Sequence, residues 1–104
     1  MRVLEFEVDK QLLQKAPGCD FSNIVPGTSG YLHARFKFSE DWQGCIKAAR
    51  FLYNGQEYAT KLEDDFCEIP PDALAGWKFK VSVEGARPDG YRITSTTTTV
   101  KQEG

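Results

Sequence analysis

The sequence predicts an all-β fold: an antiparallel β-sandwich of six or seven strands with one or two short helical turns. Three observations lead there. Several segments alternate apolar and polar residues with the period of a half-buried strand. One of them runs into Asn54-Gly55, the favoured pair for a tight hairpin turn. Turn signals also recur about every ten residues, the spacing of a sandwich or a small barrel. At 104 residues, residues 1–104 read as one domain with enough chain for one core.

The elements follow in order. In "VLEFEV", Leu4, Phe6 and Val8 face away from Glu5 and Glu7. "KQLLQKA", residues 10 to 16, is ambiguous because its two leucines are adjacent. "PGCDFSNIVPGTSG", residues 17 to 30, is a long loop by composition. In "YLHARFKF", Leu32, Ala34, Phe36 and Phe38 oppose His33, Arg35 and Lys37. "SEDWQG" reads as a helical turn opened by Ser39 and closed by Gly44.

The hairpin "FLYNGQEY" is the strongest local signal. A type I′ turn at Asn54-Gly55 fixes the register, so Tyr53 faces Gln56, Phe51 faces Tyr58 and Ala49 faces Thr60. These residues and Leu62 share one face, and Arg50, Glu57 and Lys61 lie on the other. "PPDALAG" is a second helical turn, with Pro71 in its first turn and Gly76 just after it. In "KFKVSVE", Phe79, Val81 and Val83 alternate with Lys78, Lys80, Ser82 and Glu84. "GARPDGY" is a turn around Pro88 and Asp89-Gly90. "YRITSTTTTV" reads as a last strand, polar on both faces, and hence as an edge with a weakly specified register.

Composition narrows the function. The net charge of −2 lacks the positive excess of a general nucleic-acid binder. No apolar run reaches the roughly 20 residues of a membrane span. "MRVLEFEVDK" carries charges where a signal peptide needs an apolar region, so synthesis in a cytoplasm is expected. Cys19, Cys45 and Cys67 are odd in number and lack C-x-x-C spacing, so a structural zinc site is not indicated. They read as three reduced thiols, with a Cys45–Cys67 disulfide as the alternative.

Catalytic signals are sparse. His33 lies on a polar face between basic neighbours with no local carboxylate to orient it. Glu63-Asp64-Asp65 and Glu40-Asp41 read as solvated turns, without the spacing and glycine of a calcium loop. Neither G-x-x-x-x-G-K-[ST] nor G-x-G-x-x-G occurs. Cys45 sits in no nucleophile motif. No catalytic residue, metal ligand or cofactor site is assigned, and the expectation is a non-enzyme. Trp42 reads as a cap on the core whose indole N–H meets a carbonyl, with a ligand-stacking platform as the alternative. For contact with other proteins the loops are the place to look. They offer Phe21 and Ile24 in one, and Arg87, Tyr91 and Arg92 in the other.

Phe36, Phe38, Trp42, Gly44, Lys47, Phe51, Tyr58, Cys67, Ile69, Pro70, Phe79, Val81, Val83 and Gly85 form a pattern. It reads F-x-F-S-x-D/E-W-x-G, then an aromatic strand ending near a Tyr, then C-x-I-P and F-x-V-x-V-x-G. Over roughly residues 23 to 95 the chain thereby resembles small β-sandwich proteins of tailed phages and prophages of Gram-positive bacteria. That family resembles the immunoglobulin-like N-terminal modules of baseplate and tail proteins. The resemblance implies an immunoglobulin-like fold and a non-catalytic tail, baseplate or decoration component that works by protein–protein contact. Its partners would be virion components, and its location the bacterial host cytoplasm when made and then the virion. A soluble phage-coded inhibitor of a host or defence protein is the alternative. Such modules usually precede long fibre or coiled segments, which these 104 residues do not include. No nucleic-acid or membrane partner is expected, and an open sheet edge would be compatible with a homo-oligomer. The shared pattern is a core pattern and transfers no binding site.

Overall fold

A computed structural model describes residues 1–103. Among the described residues nine strands and two 3-10 turns follow one another. The strands are β1 (Arg2–Asp9), β2 (Leu12–Lys15), β3 (Leu32–Phe38), β4 (Ile46–Tyr53), β5 (Gln56–Lys61), β6 (Phe66–Glu68), β7 (Lys78–Ala86), β8 (Arg92–Thr94) and β9 (Thr98–Lys101). The 3-10 turns are Glu40–Trp42 and Pro71–Leu74, where the two helical turns are expected. One sheet has the order β2-β1-β3-β6. The other has the order β5-β4-β7, with β8 and β9 both on the far side of β7.

The two sheets share one core. Leu4, Phe6, Val8, Ala34 and Phe36 come from the first, and Ala49, Phe51, Phe79, Val81 and Val83 from the second. Alternation therefore selects the inner rows correctly. The β4–β5 hairpin has the expected register, and Asn54 (φ 53°) and Gly55 (φ 77°) both take the left-handed conformation of a type I′ turn.

The strands of the described residues number nine rather than the expected six or seven, and three points, two corrections and one resolved ambiguity, account for the differences. First, the sheets are not wholly antiparallel: β1 runs parallel to β3, with Arg2 beside Leu32 and Val8 beside Phe38. A parallel neighbour requires a long return path. The chain takes it through β2 and the loop that follows. Second, the ambiguous "KQLLQKA" contains β2, paired with β1. Its adjacent leucines split across the strand, Leu13 being buried and Leu12 exposed. Third, the last strand is two strands. β8 and β9 pair with β7 in registers offset by one residue, and Ser95–Thr97 lies between them. Ser95 bridges the break: its N–H donates to Val83 O, and its Oγ accepts from Val83 N–H.

The same break seals an edge. Thr96 N–H donates to Gln11 O, Leu13 N–H donates to Thr96 Oγ1, and Thr98 Oγ1 donates to Leu13 O. The hydroxyls thus join the outer edge of β2 to the opposite sheet. β8 and β9 form the edge of their sheet, as expected, and that edge is engaged by β2 at Thr96 and Thr98. β5 and β6 are the terminal strands at the other side of the two sheets.

Trp42 caps the core. It is fully buried, its ring lies 5.0 Å from that of Phe38, and its Nε1 donates to Lys10 O at 2.7 Å. Ser39 Oγ accepts from Lys10 N–H, so the first 3-10 turn clasps the β1–β2 turn from both sides. Gly85 makes room: a Cβ there would meet Trp42 Cε3 at 3.1 Å and Cys45 Cβ at 3.0 Å. Burial of Trp42 rules out the stacking-platform alternative.

Candidate contact surface

The residues singled out for contact part company. Ile24 is 1% exposed and belongs to the core, so it offers nothing to a partner. An apolar residue in a loop has no period to reveal its direction, and here Ile24 turns inward while most of the loop stays exposed. Arg2 pins it by donating to the carbonyls of Asp20, Ser22 and Asn23 at 2.9, 2.6 and 3.2 Å. Within it, Ser22 donates its hydroxyl and its N–H to Asp20, which holds that carboxyl below its usual range. Phe21 is half-buried, edge-on to Phe6, with the Lys15 ammonium 5.2 Å from its ring.

Arg87, Tyr91 and Arg92 lie together at the far end of the second sheet. The Arg87 guanidinium stacks 3.9 Å above the Tyr91 ring and donates to Gln43 O. Tyr91 donates its hydroxyl to Asp41 O at 2.7 Å. These two side chains therefore fasten the β7–β8 turn to the first 3-10 turn. Arg92 is exposed and free of any ion pair among the described residues.

Arg92 belongs to a larger surface. Residues opposite one another in a ladder point to the same side. The register thus places Lys61, Ala48, Glu84 and Thr94 in one outward row, and Ile46, Ala86 and Arg92 in the next. Farther along the same face are Arg50 with Ser82, and Leu52 with Glu57 and Lys80. Ile46 is 64% exposed. Beyond Leu52, where β7 begins, Trp77 is 67% exposed. Arg50 occupies the middle, bonded to Glu57 at 2.7 Å and to Glu84 at 2.6 Å. The Glu84 hydrogen bond, ahead of the charges of Glu84 and Glu57, raises the pKa of Arg50 further.

Two depressions open on this side. One, of about 440 Å³, is lined by Leu52, Tyr53, Trp77 and Phe79 among others. The other, of about 540 Å³, lies over Ile46, Ala48 and Ala86, with Lys61, Arg87 and Arg92 around it. Charge is unevenly distributed between the faces. Arg50, Lys61, Lys78, Lys80, Arg92 and Lys101 point outward here, and Glu57 and Glu84 are both engaged by Arg50. A chain with net charge −2 therefore presents one basic sheet face.

Sequence reasoning passed over Ile46, Leu52 and Trp77. For the two strand residues the signal was present. Once the hairpin register assigns Ala49, Phe51 and Tyr53 to the core, Ile46, Ala48 and Leu52 must point outward. For Trp77 no periodicity applies, since it precedes the strand.

The candidate chemical groups stay apart. His33 stacks on Phe66 at 5.2 Å on the outside of the first sheet, with its Nδ1 3.2 Å from Tyr31 O. Cys45 lies against Gly85 in the other sheet. The three cysteines are unpaired, so no Cys45–Cys67 disulfide forms. Burial, and then the charge of Glu68, push the Cys67 thiol up to about 12. Asp64 (φ 54°) and Asp65 (φ 61°) form a tight turn between Glu63 and Phe66. Asp65 also pairs with Lys47 at 2.9 Å. That acidic cluster is accounted for by turn geometry. Among the described residues no group of three or more His, Cys, Asp or Glu side chains is arranged to hold a metal ion, and no helix is long and apolar enough to cross a membrane.

No family model, curated protein or solved structure matches this chain.

Proposed function

We propose that this chain is an immunoglobulin-like β-sandwich without catalytic activity that acts by protein–protein contact, as a tail, baseplate or decoration component of a tailed phage or prophage. The observation that carries the contact reading is the outward face of β4. Ile46, Ala48 and Leu52 form an apolar row interrupted only by Arg50, and Trp77 stands exposed beside it. Water-exposed apolar groups gathered on one face gain free energy when a partner covers them. Tryptophan is prominent among the residues that dominate such contacts. The phage assignment is supported by the F-x-F-S-x-D/E-W-x-G, C-x-I-P and F-x-V-x-V-x-G pattern.

The test is mass spectrometry of purified particles from cells carrying the wild-type chain, or the Ile46→Asp or Trp77→Ser variant. The expected result is stoichiometric incorporation of the wild type and loss with Ile46→Asp, while both variants keep the wild-type circular dichroism spectrum. Particles lacking the wild-type chain, with one host protein captured instead, would replace this reading with that of a host-directed inhibitor.

A further inference from the structure

We infer that the groove over Ile46, Ala48 and Ala86 receives an extended segment of a protein partner that has a small apolar centre and a carboxylate toward each end. This rests on the contact reading above and gives that contact a location and a chemistry.

The groove runs across the strands rather than along them. Its two outward rows start at Lys61 on β5 and end at Arg92 on β8. Three inter-strand spacings separate those positions, or about 14 Å at ~4.8 Å each. An extended chain rises about 3.3 Å per residue, so four or five residues would span it. Ile46, Ala48 and Ala86 give the floor methyl and methylene surface that suits small apolar side chains, with Glu84 and Thr94 beside them. The volume of about 540 Å³ lies within the ordinary range of ligand clefts.

Charge sets the identity of the occupant. Four cations and one carboxylate line the groove. Lys47 is bound to Asp65, Arg87 lies 3.6 Å from Asp89, and Glu84 is held by Arg50. Lys61 and Arg92 carry no ion pair among the described residues and stand at opposite ends. Two unpaired cations flanking an apolar floor are complementary to an acid–apolar–acid segment, and repel a basic one. A nucleic-acid backbone would meet the cations, but would leave Ile46, Ala48 and Ala86 facing phosphate and sugar.

The experiment uses the intact chain labelled with 15N and the capped peptide Glu-Ala-Val-Ala-Glu as probe, in which the two carboxylates and the valine share one face when extended. Saturable amide shifts are expected at Ile46, Ala48, Ala86 and Arg92, at up to ~1 mM peptide, the weak end of specific recognition. The double variant Lys61→Glu/Arg92→Glu should weaken binding by roughly tenfold or more, and a Lys-ended peptide should bind that variant in preference to the wild type. A peptide with serines at its centre should bind less well than the valine form. The inference is overturned by any of four results: absence of saturable shifts, shifts confined to other residues, equal binding of the serine peptide, or stronger binding of a dT oligonucleotide to the same groove. The two readings fail separately. If the double variant still enters particles as the wild type does, the acidic-segment inference falls and the contact function stands. If wild-type chain is missing from particles but the peptide binds, the virion role falls and the acidic-segment inference stands.

Discussion

Gly76→Ala is the smallest change with a large expected effect. Gly76 is buried, and its backbone φ is not in the left-handed region, so no turn requires a glycine there. The ring of Tyr53 requires it. An added Cβ would stand 2.1 Å from Tyr53 Cε1, 2.7 Å from Cζ and 2.8 Å from the hydroxyl oxygen, where ordinary contact begins at 3.4 Å. The ring must retreat by more than an ångström. Tyr53 is only half-buried, so it can swing outward, and the cost is lost packing rather than a broken backbone. Overpacking of this kind costs about 1–3 kcal/mol, or a fall of about 10 °C in melting temperature for a domain of this size. Urea denaturation of four proteins decides the matter: wild type, Gly76→Ala, Tyr53→Ala and the double variant. With the ring removed, Gly76→Ala should be neutral or stabilise by about 0.4–1 kcal/mol through the unfolded chain. The two changes should therefore couple by more than ~1 kcal/mol. Additive effects, or a wild-type midpoint for Gly76→Ala, would refute the contact argument.

Three further outcomes are expected. Trp42→Phe keeps a ring beside Phe38 but leaves the Lys10 carbonyl without its donor, and should lower stability by about 1–3 kcal/mol in urea titration; an unchanged midpoint would show that water replaces the indole at no cost. Asp64→Gly relieves a left-handed non-glycine residue and should raise stability by about 1 kcal/mol; a loss would mean that the Asp64 side chain contributes more than its backbone costs. The folded Cys67 thiol ionises near 12 against an ordinary 9.0, so the native state holds its proton where the unfolded chain has released it. Its contribution is thus complete below about pH 9 and declines between pH 9 and 12, and Cys67→Ala should flatten that part of the stability–pH curve. A native thiol titration at pH 8 that modifies Cys67 as fast as Cys45 would contradict its burial.

The parts legible in the sequence are those in which one local rule dominates. The Asn54-Gly55 turn dictated a register, and the register dictated inner and outer rows. Trp42 was legible because a large ring between aromatic strands has few places to go. Elsewhere tertiary partners decided. The direction of β1 relative to β3 depends on where a long loop returns the chain, which no pattern within either strand records. Ile24 is buried because Arg2 draws the loop carbonyls together, an interaction between residues distant in sequence. The break at Ser95 is set by hydroxyl bonds to β2, and a run of threonines looks the same whether or not those bonds form. On the contact surface, Arg92 was identified by residue type, whereas Ile46 and Leu52 needed the hairpin register to be followed through to the outer face.

The parallel pairing of β1 with β3 imposes an order on folding. Across β4–β5 the first partners are Tyr53 and Gln56, joined by a two-residue turn, whereas β1 must find Leu32 opposite Arg2. A hairpin closes in about 1–10 μs, while folds rich in distant pairings complete in milliseconds to seconds. The hairpin, with Phe51 in its inner row, can exist long before β1 has its neighbour. During that interval Leu4, Phe6 and Val8 form an apolar stripe on a strand whose only partner is the short β2. That stripe, absent from the surface of the finished protein, is the one a chaperone or a second nascent chain would meet first.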